Sequence, residues 1–96
     1  MIIYEVNLSV DKEILTSFQV WLDEHIKEIL TIDGFISAEK LMDLEDENNI
    51  SVRYLLENTE KLNQYFSNHA EKFRDKGKKE FGNKFKANRR ILKMFR

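Results

Sequence analysis

The first nine residues alternate. Ile2, Tyr4, Val6 and Leu8 share one side of an extended chain, and Ile3, Glu5, Asn7 and Ser9 share the other. A period of two built from β-branched and aromatic residues predicts a strand with one apolar face. From Ile14 the period changes: Ile14, Phe18, Trp21, Leu22, His25, Ile26 and Ile29 recur every three or four residues. That spacing predicts an amphipathic helix running to Leu30, with Asp11 placed to cap it. Asp33-Gly34 then predicts a turn, since Gly34 tolerates the left-handed conformation most residues resist. Alternation resumes from Phe35 to about Leu44. Ile36, Ala38, Met42 and Leu44 take one face, with Lys40 the exception, and Phe35, Ser37, Glu39 and Leu41 take the other. The polar run 45–49 predicts a hairpin loop leading into a third strand, in which Ile50, Val52, Tyr54 and Leu56 share a face. Asn58 or Thr59 caps a second helix, whose stripe is Leu62, Phe66, His69 or Ala70, and Phe73, ending near Gly77. Residues 78–83 read as a connection. Residues 84–95 read as a fourth strand of weak alternation, with a helix as the competing reading.

Strand, helix, strand, strand, helix, strand is the α+β order of the ferredoxin-like fold. Right-handed crossovers put two helices on one face of a four-stranded antiparallel sheet. Tyr4, Val6, Leu8, Val52 and Tyr54 are then expected beneath the helices. The other face carries Ile3, Glu5, Asn7, Glu39, Leu41, Arg53 and Leu55, a mixture too apolar for open water and too polar for a core. A second copy stacked on it would bury Ile3, Leu41 and Leu55 and set Glu5 and Glu39 against Arg53 and a basic residue of strand four. A homodimer is therefore expected, with any ligand cavity depending on the twin.

Composition narrows the function classes. At 96 residues the chain is one domain. It has no cysteine, which excludes disulfides, zinc ribbons, iron–sulfur sites and thiol catalysis. Its three glycines are scattered, so there is no phosphate-binding loop. No apolar run suits a membrane span and the opening residues do not look like a signal peptide, so a cytoplasmic protein is expected. Charge is uneven: residues 1–71 hold 15 acidic and 5 basic side chains, residues 72–96 hold 2 and 11. The basic end is interrupted by Phe73, Phe81, Phe85, Ile91, Leu92, Met94 and Phe95, which suits folded structure lying on acidic surface of its own chain or of a twin better than a loose arm for nucleic acid.

The junction Asp33-Gly34-Phe35-Ile36-Ser37-Ala38-Glu39 resembles the helix–Gly-Phe–strand junction of the dimeric α/β-barrel superfamily, with Asp33 where many members have proline. Nearly the whole chain is similar to a family of short bacterial proteins known only as a domain of unknown function. The residues carrying this are Met1-Ile2-Ile3-Tyr4-Glu5-Val6-Asn7, Trp21-Leu22 with His25-Ile26, Gly34-Phe35, Asn68-His69-Ala70, Phe81-Gly82 and Arg89-Arg90-Ile91-Leu92. The resemblance implies a barrel-like dimer with no activity to inherit. The superfamily also includes cofactor-independent monooxygenases and haem-degrading enzymes, some using an Asn on strand one and a His on helix two. Asn7 and His69 fall at comparable places, whereas Trp21 lies on helix one rather than late in the chain.

The candidate chemistry is sparse. His25 and His69 sit on their helices' apolar stripes, where the two rings can approach, yet no His/carboxylate spacing suits a metal, and neither metal nor cofactor is expected. Trp21 and Tyr54 suit the wall of a half-wet pocket as well as a core. Asn7, in mid-strand, is an interface or substrate-orienting residue. Glu5, Glu39 and Arg53 form either an inter-subunit ion pair or a carboxylate tuned as a base. Arg89-Arg90 points two guanidiniums to opposite faces, and Arg90 is the one placed among the pocket candidates to clamp an anion. A small anionic or aromatic ligand, or an interaction surface, is the first expectation. A monooxygenase-like enzyme is the second, and an RNA- or ribosome-associated factor using the basic end the third.

Overall fold

The computed structural model describes residues 1–95. Ile2–Val10 (β1) runs up the middle of one antiparallel sheet of order β2-β3-β1-β4. Phe35–Met42 (β2) and Phe85–Lys93 (β4) are its edges, and Asn49–Leu56 (β3) lies between β2 and β1. Residues 84–95 are thus settled as mainly a strand. Its alternation is weak because an edge strand is covered less, and Ile91 stays 53% exposed. Leu15–Ile29 (α1) follows a short 3-10 turn, Lys12–Ile14; Asp11 precedes that turn but its side chain makes no cap bond. Asn58 does cap the next helix, accepting the Lys61 backbone N–H at 2.9 Å. Gly34 closes the α1–β2 turn at φ +94°.

Three expectations change. The second helix is two, Thr59–Asn68 (α2) and Ala70–Phe81 (α3), broken at His69 with φ −134°. An unbroken helix with Leu62 and Tyr65 buried would carry His69 inward next. The break advances the stripe by one residue, leaving His69 exposed and burying Ala70, Phe73, Gly77 and Phe81. It also takes helix through residues expected to be a connection. Phe35 changes face as well: the register slips between Phe35 and Ser37, and the bulge turns Phe35 into the core against Tyr54 and Tyr65 while Ser37 stays outside. Finally, β2 ends at Met42, so Leu44 is fully exposed in the hairpin loop. Lys40, the apparent misfit of β2, stands opposite Val52 on the helix-facing side and pairs with Asp23 of α1 at 2.6 Å.

One face of the sheet is roofed by the helices. Phe18, Leu22 and Ile29 of α1 and Leu62 and Tyr65 of α2 close on Ile2, Tyr4, Leu8, Val52, Tyr54 and Leu56. The other face has no second layer and its side chains form rows across all four strands. One row is Ser37, Leu55, Ile3, Leu92; the next is Glu39, Arg53, Glu5, Arg90; the third is Leu41, Ser51, Asn7, Asn88. The faces expected for Tyr4, Val6, Leu8, Val52 and Tyr54, and for Ile3, Glu5, Asn7, Glu39, Leu41, Arg53 and Leu55, are the ones found. The basic end lies on its own chain: Lys76 pairs with Glu28, Lys84 with Glu13 and Arg90 with Glu5. No helix among the described residues is long and apolar enough to cross a membrane.

Candidate functional site

Between the roofed sheet face and the helices lies a cavity of about 670 Å³. It is lined by residues of a single chain, whereas the sequence reading made any cavity depend on a twin. Volumes of this order are those of small-molecule sites. Its floor is the alternating face of three strands, with Tyr4, Tyr54 and Phe85 the large side chains and Val6, Val52 and Ala87 the small ones. Small residues in the centre leave the space that a core would fill. Its walls are α1, through Phe18, Trp21 and His25, and α3, through Phe73, Arg74 and Lys78. Gly77 lets α3 come close: a Cβ there would stand 3.2 Å from the rings of both Trp21 and Phe85.

The rings are ordered by one another. Trp21 stacks on His25 at 4.6 Å, one helical turn apart, and His25 meets Phe73 edge-on at 5.3 Å. Tyr4 stacks on Tyr54 at 6.0 Å and lies 6.1 Å from Tyr65. Burial in this apolar pocket pushes His25 down to about 4; Glu28 opposes the shift, while Lys76 and Arg89 add to it. The imidazole is neutral at physiological pH. Burial and the neighbouring phenols raise Tyr54 above its ordinary range, and burial raises Tyr65 to about 12 despite the fields of Arg74 and Arg89. The cavity therefore presents neutral hydrogen-bonding groups on apolar walls, with cationic side chains from α3 and β4.

The uncovered sheet face holds a second arrangement. The Glu5 carboxylate is only 2% exposed although no layer lies above it. Arg53 Nε donates to one oxygen at 2.8 Å, while Arg90 Nε donates to the other at 2.6 Å. Asn7 Nδ2 also donates to Glu5, at 2.9 Å, and Asn7 Oδ1 accepts from Ser51 at 2.6 Å. The bonds from Arg90, Asn7 and Arg53, in that order of weight, hold Glu5 down to about 2 against its burial. An acid so stabilised as the anion is a poor proton acceptor.

The sequence candidates thus divide. Trp21, His25 and Tyr54 line the cavity. Asn7, Glu5, Arg53 and Arg90 form the network outside it, and Glu39 stands opposite Arg53 in the same row. His69 lies exposed at the α2–α3 break, its ring 6.4 Å from that of Tyr65. Asn7 and His69 are on opposite sides of the sheet and do not form one site, and His25 and His69 have separate surroundings. Ile3 and Leu55 are half-buried on the outer face, and Leu41 is more exposed. The guanidinium that reaches the cavity is that of Arg89, opposite Val6, rather than Arg90. Tyr4, Tyr65, Phe73 and Arg74 were not singled out beforehand. The parity shared by Phe85, Ala87 and Arg89 was the available signal for Arg89, and the helix break concealed the one for Tyr65. No group of three or more His, Asp or Glu side chains suited to a metal occurs among the described residues.

A four-stranded antiparallel sheet roofed on one face by helices, in this element order, is the ferredoxin-like fold. The chain belongs to the family described as domain of unknown function DUF4286, whose model matches residues 1–95. No curated protein sequence matches it significantly. Among solved structures it is similar to a Deinococcus radiodurans protein assigned to the antibiotic biosynthesis monooxygenases. The TM-score there is 0.82 at 14% identity, covering 100% of this chain and 94% of that one. It is also similar to an N63A mutant of SnoaB, a cofactor-independent oxygenase from Streptomyces nogalater, with TM-score 0.78, 8% identity and coverage of 99% and 94%. A conserved Methanosarcina mazei protein gives 0.77, 15% identity, 99% and 94%. At these identities the likeness is one of fold.

Proposed function

We propose that this protein is a homodimer that binds a small planar aromatic molecule in the cavity between its sheet and its helices. The observation that carries the reading is the lining itself: facing rings from β1, β3, α1, α2 and α3 around a space the core leaves unfilled. Stacking and edge contacts of this kind favour a flat conjugated ligand over an aliphatic one. Pairing of two copies through the uncovered sheet face is supported by its half-buried row of Leu55, Ile3 and Leu92. Trp21, the only tryptophan, supplies the assay. Titration with 2-naphthol is expected to shift the Trp21 indole N–H resonance saturably. Gly77→Leu, which pushes a side chain between Trp21 and Phe85, is expected to abolish the shift in a folded protein. An unchanged indole signal in the parent chain refutes the reading.

A second reading is favoured by the cavity's cations and by the likeness to SnoaB. Arg74 and Arg89 favour the ionised form of a bound acidic hydroxyarene, whose electron-rich anion can itself pass electrons to dioxygen, while His25, held near 4, is a neutral hydrogen-bond partner and not the base. Oxygen uptake with an anthrone-type substrate, lost in Arg89→Gln, supports this; uptake equal to buffer alone removes it.

A further inference from the structure

Seven lysines and arginines among the described residues are held by acids. Lys27, Lys40, Arg53, Lys61, Lys76, Lys84 and Arg90 each pair with a carboxylate. Of the described cations that make no such pair, Arg74, Lys78 and Arg89 line the cavity, and the two guanidiniums among them are Arg74 and Arg89. They arrive from different elements: Arg74 from the first turns of α3, Arg89 from the middle of edge strand β4 on its helix-facing side. Both are near enough to Tyr65 for their fields to act on its hydroxyl. Arg74 Nη2 also lies 3.5 Å from the Tyr4 hydroxyl oxygen, a contact that leaves the Tyr4 proton free to donate. Lys78 lies on the same wall one turn beyond Arg74.

From this juxtaposition we infer that the ligand is an aromatic anion, its ring system between the stacked side chains and its carboxylate held by Arg74 and Arg89. The inference rests on the cavity reading above and adds the charge of the ligand. Guanidinium groups suit this role because each offers parallel N–H donors to a planar carboxylate, and a partly dry pocket strengthens the bonds. The opposite wall contributes no acid to compete: its titratable cavity group is His25, which is neutral, and Glu28 above it is already paired with Lys76.

Calorimetric titration of the full chain with 2-naphthoate and its neutral isostere 2-naphthamide tests this. Naphthoate is expected to bind on the order of tenfold more tightly, one charge-assisted contact's worth. Arg89→Gln and Arg74→Gln are each expected to weaken naphthoate more than naphthamide and so remove most of that preference. Arg89→Lys is expected to restore part of it, and Lys79→Gln, outside the cavity, to change neither. Circular dichroism establishes that the variants fold. A second readout is His25: bound naphthoate, a new negative charge in the pocket, is expected to raise its pKa from about 4, and bound naphthamide is not. If both probes bind equally, or the arginine variants weaken both alike, the anion inference is overturned and the cavity reading stands. If neither probe binds, both fall together.

Discussion

Replacing Glu5 by Gln removes the charge at the centre of the Arg53–Glu5–Arg90 row and keeps the side chain's shape. In the parent protein Glu5 titrates near 2, against an ordinary 4.5. That difference corresponds to roughly 3 kcal/mol in favour of the folded state at neutral pH. The two guanidinium side chains are 45% and 61% exposed, so water and salt screen them. The expected loss in Glu5→Gln is therefore about 1–2 kcal/mol. The sign with pH follows from the depressed value. The unfolded carboxylate takes up its proton around 4.5 and the folded one near 2. The contribution is complete above pH 4.5 and drains away as pH falls through 2. Urea unfolding of both proteins at pH 7, 5 and 3 measures it. The gap between parent and variant should hold from pH 7 to 5 and shrink to less than half by pH 3. A gap independent of pH, or none at all, would refute the idea that an ionised Glu5 ties the three strands together.

Other perturbations read other parts of the molecule. Because burial holds His25 near 4, the unfolded chain binds a proton between pH 6.5 and 4 that the folded chain excludes. The parent should lose stability on acidification through that window, His25→Phe should lack this component, and an imidazole NMR titration with its midpoint at 6.5 would contradict the assignment. Asn58→Ala removes the α2 cap and should cost about 1 kcal/mol in thermal or urea unfolding, with Asn58→Asp close to the parent. Leu55→Glu puts a charge in the apolar row of the uncovered face; light scattering should find the parent as a dimer and the variant as a monomer of unchanged secondary structure.

The architecture was legible because its signals are local. The alternation of β1 and β3 and the period of α1 each use a repeat that any window of ten residues displays, and Asn58 and Gly34 mark their boundaries. What eluded the sequence depends on phase. A single bulge residue moved Phe35 from one face to the other, and one non-helical residue, His69, moved a whole stripe. Neither involves proline, and only tertiary packing decides them. The site divided along the same line. Trp21 and His25 were visible as polar-tipped aromatics on an apolar stripe, as was Phe73 on the second helix, but Tyr65 needed the break. Arg89 and Arg90 are indistinguishable as residue types; only the parity of β4 places one beneath the helices and the other over Glu5. The sequence also placed the candidate carboxylates beside a dimer cavity, whereas the space under the helices is lined by one chain, on the far side of the sheet from Glu5.

The most direct test is a crystal structure of the protein soaked with 2-naphthol. The account predicts ring density under α1 and α3, stacked among Trp21, His25 and Phe73. Density confined to the outer sheet face or to the contact between two copies, with the space beneath the helices holding only solvent, would contradict it.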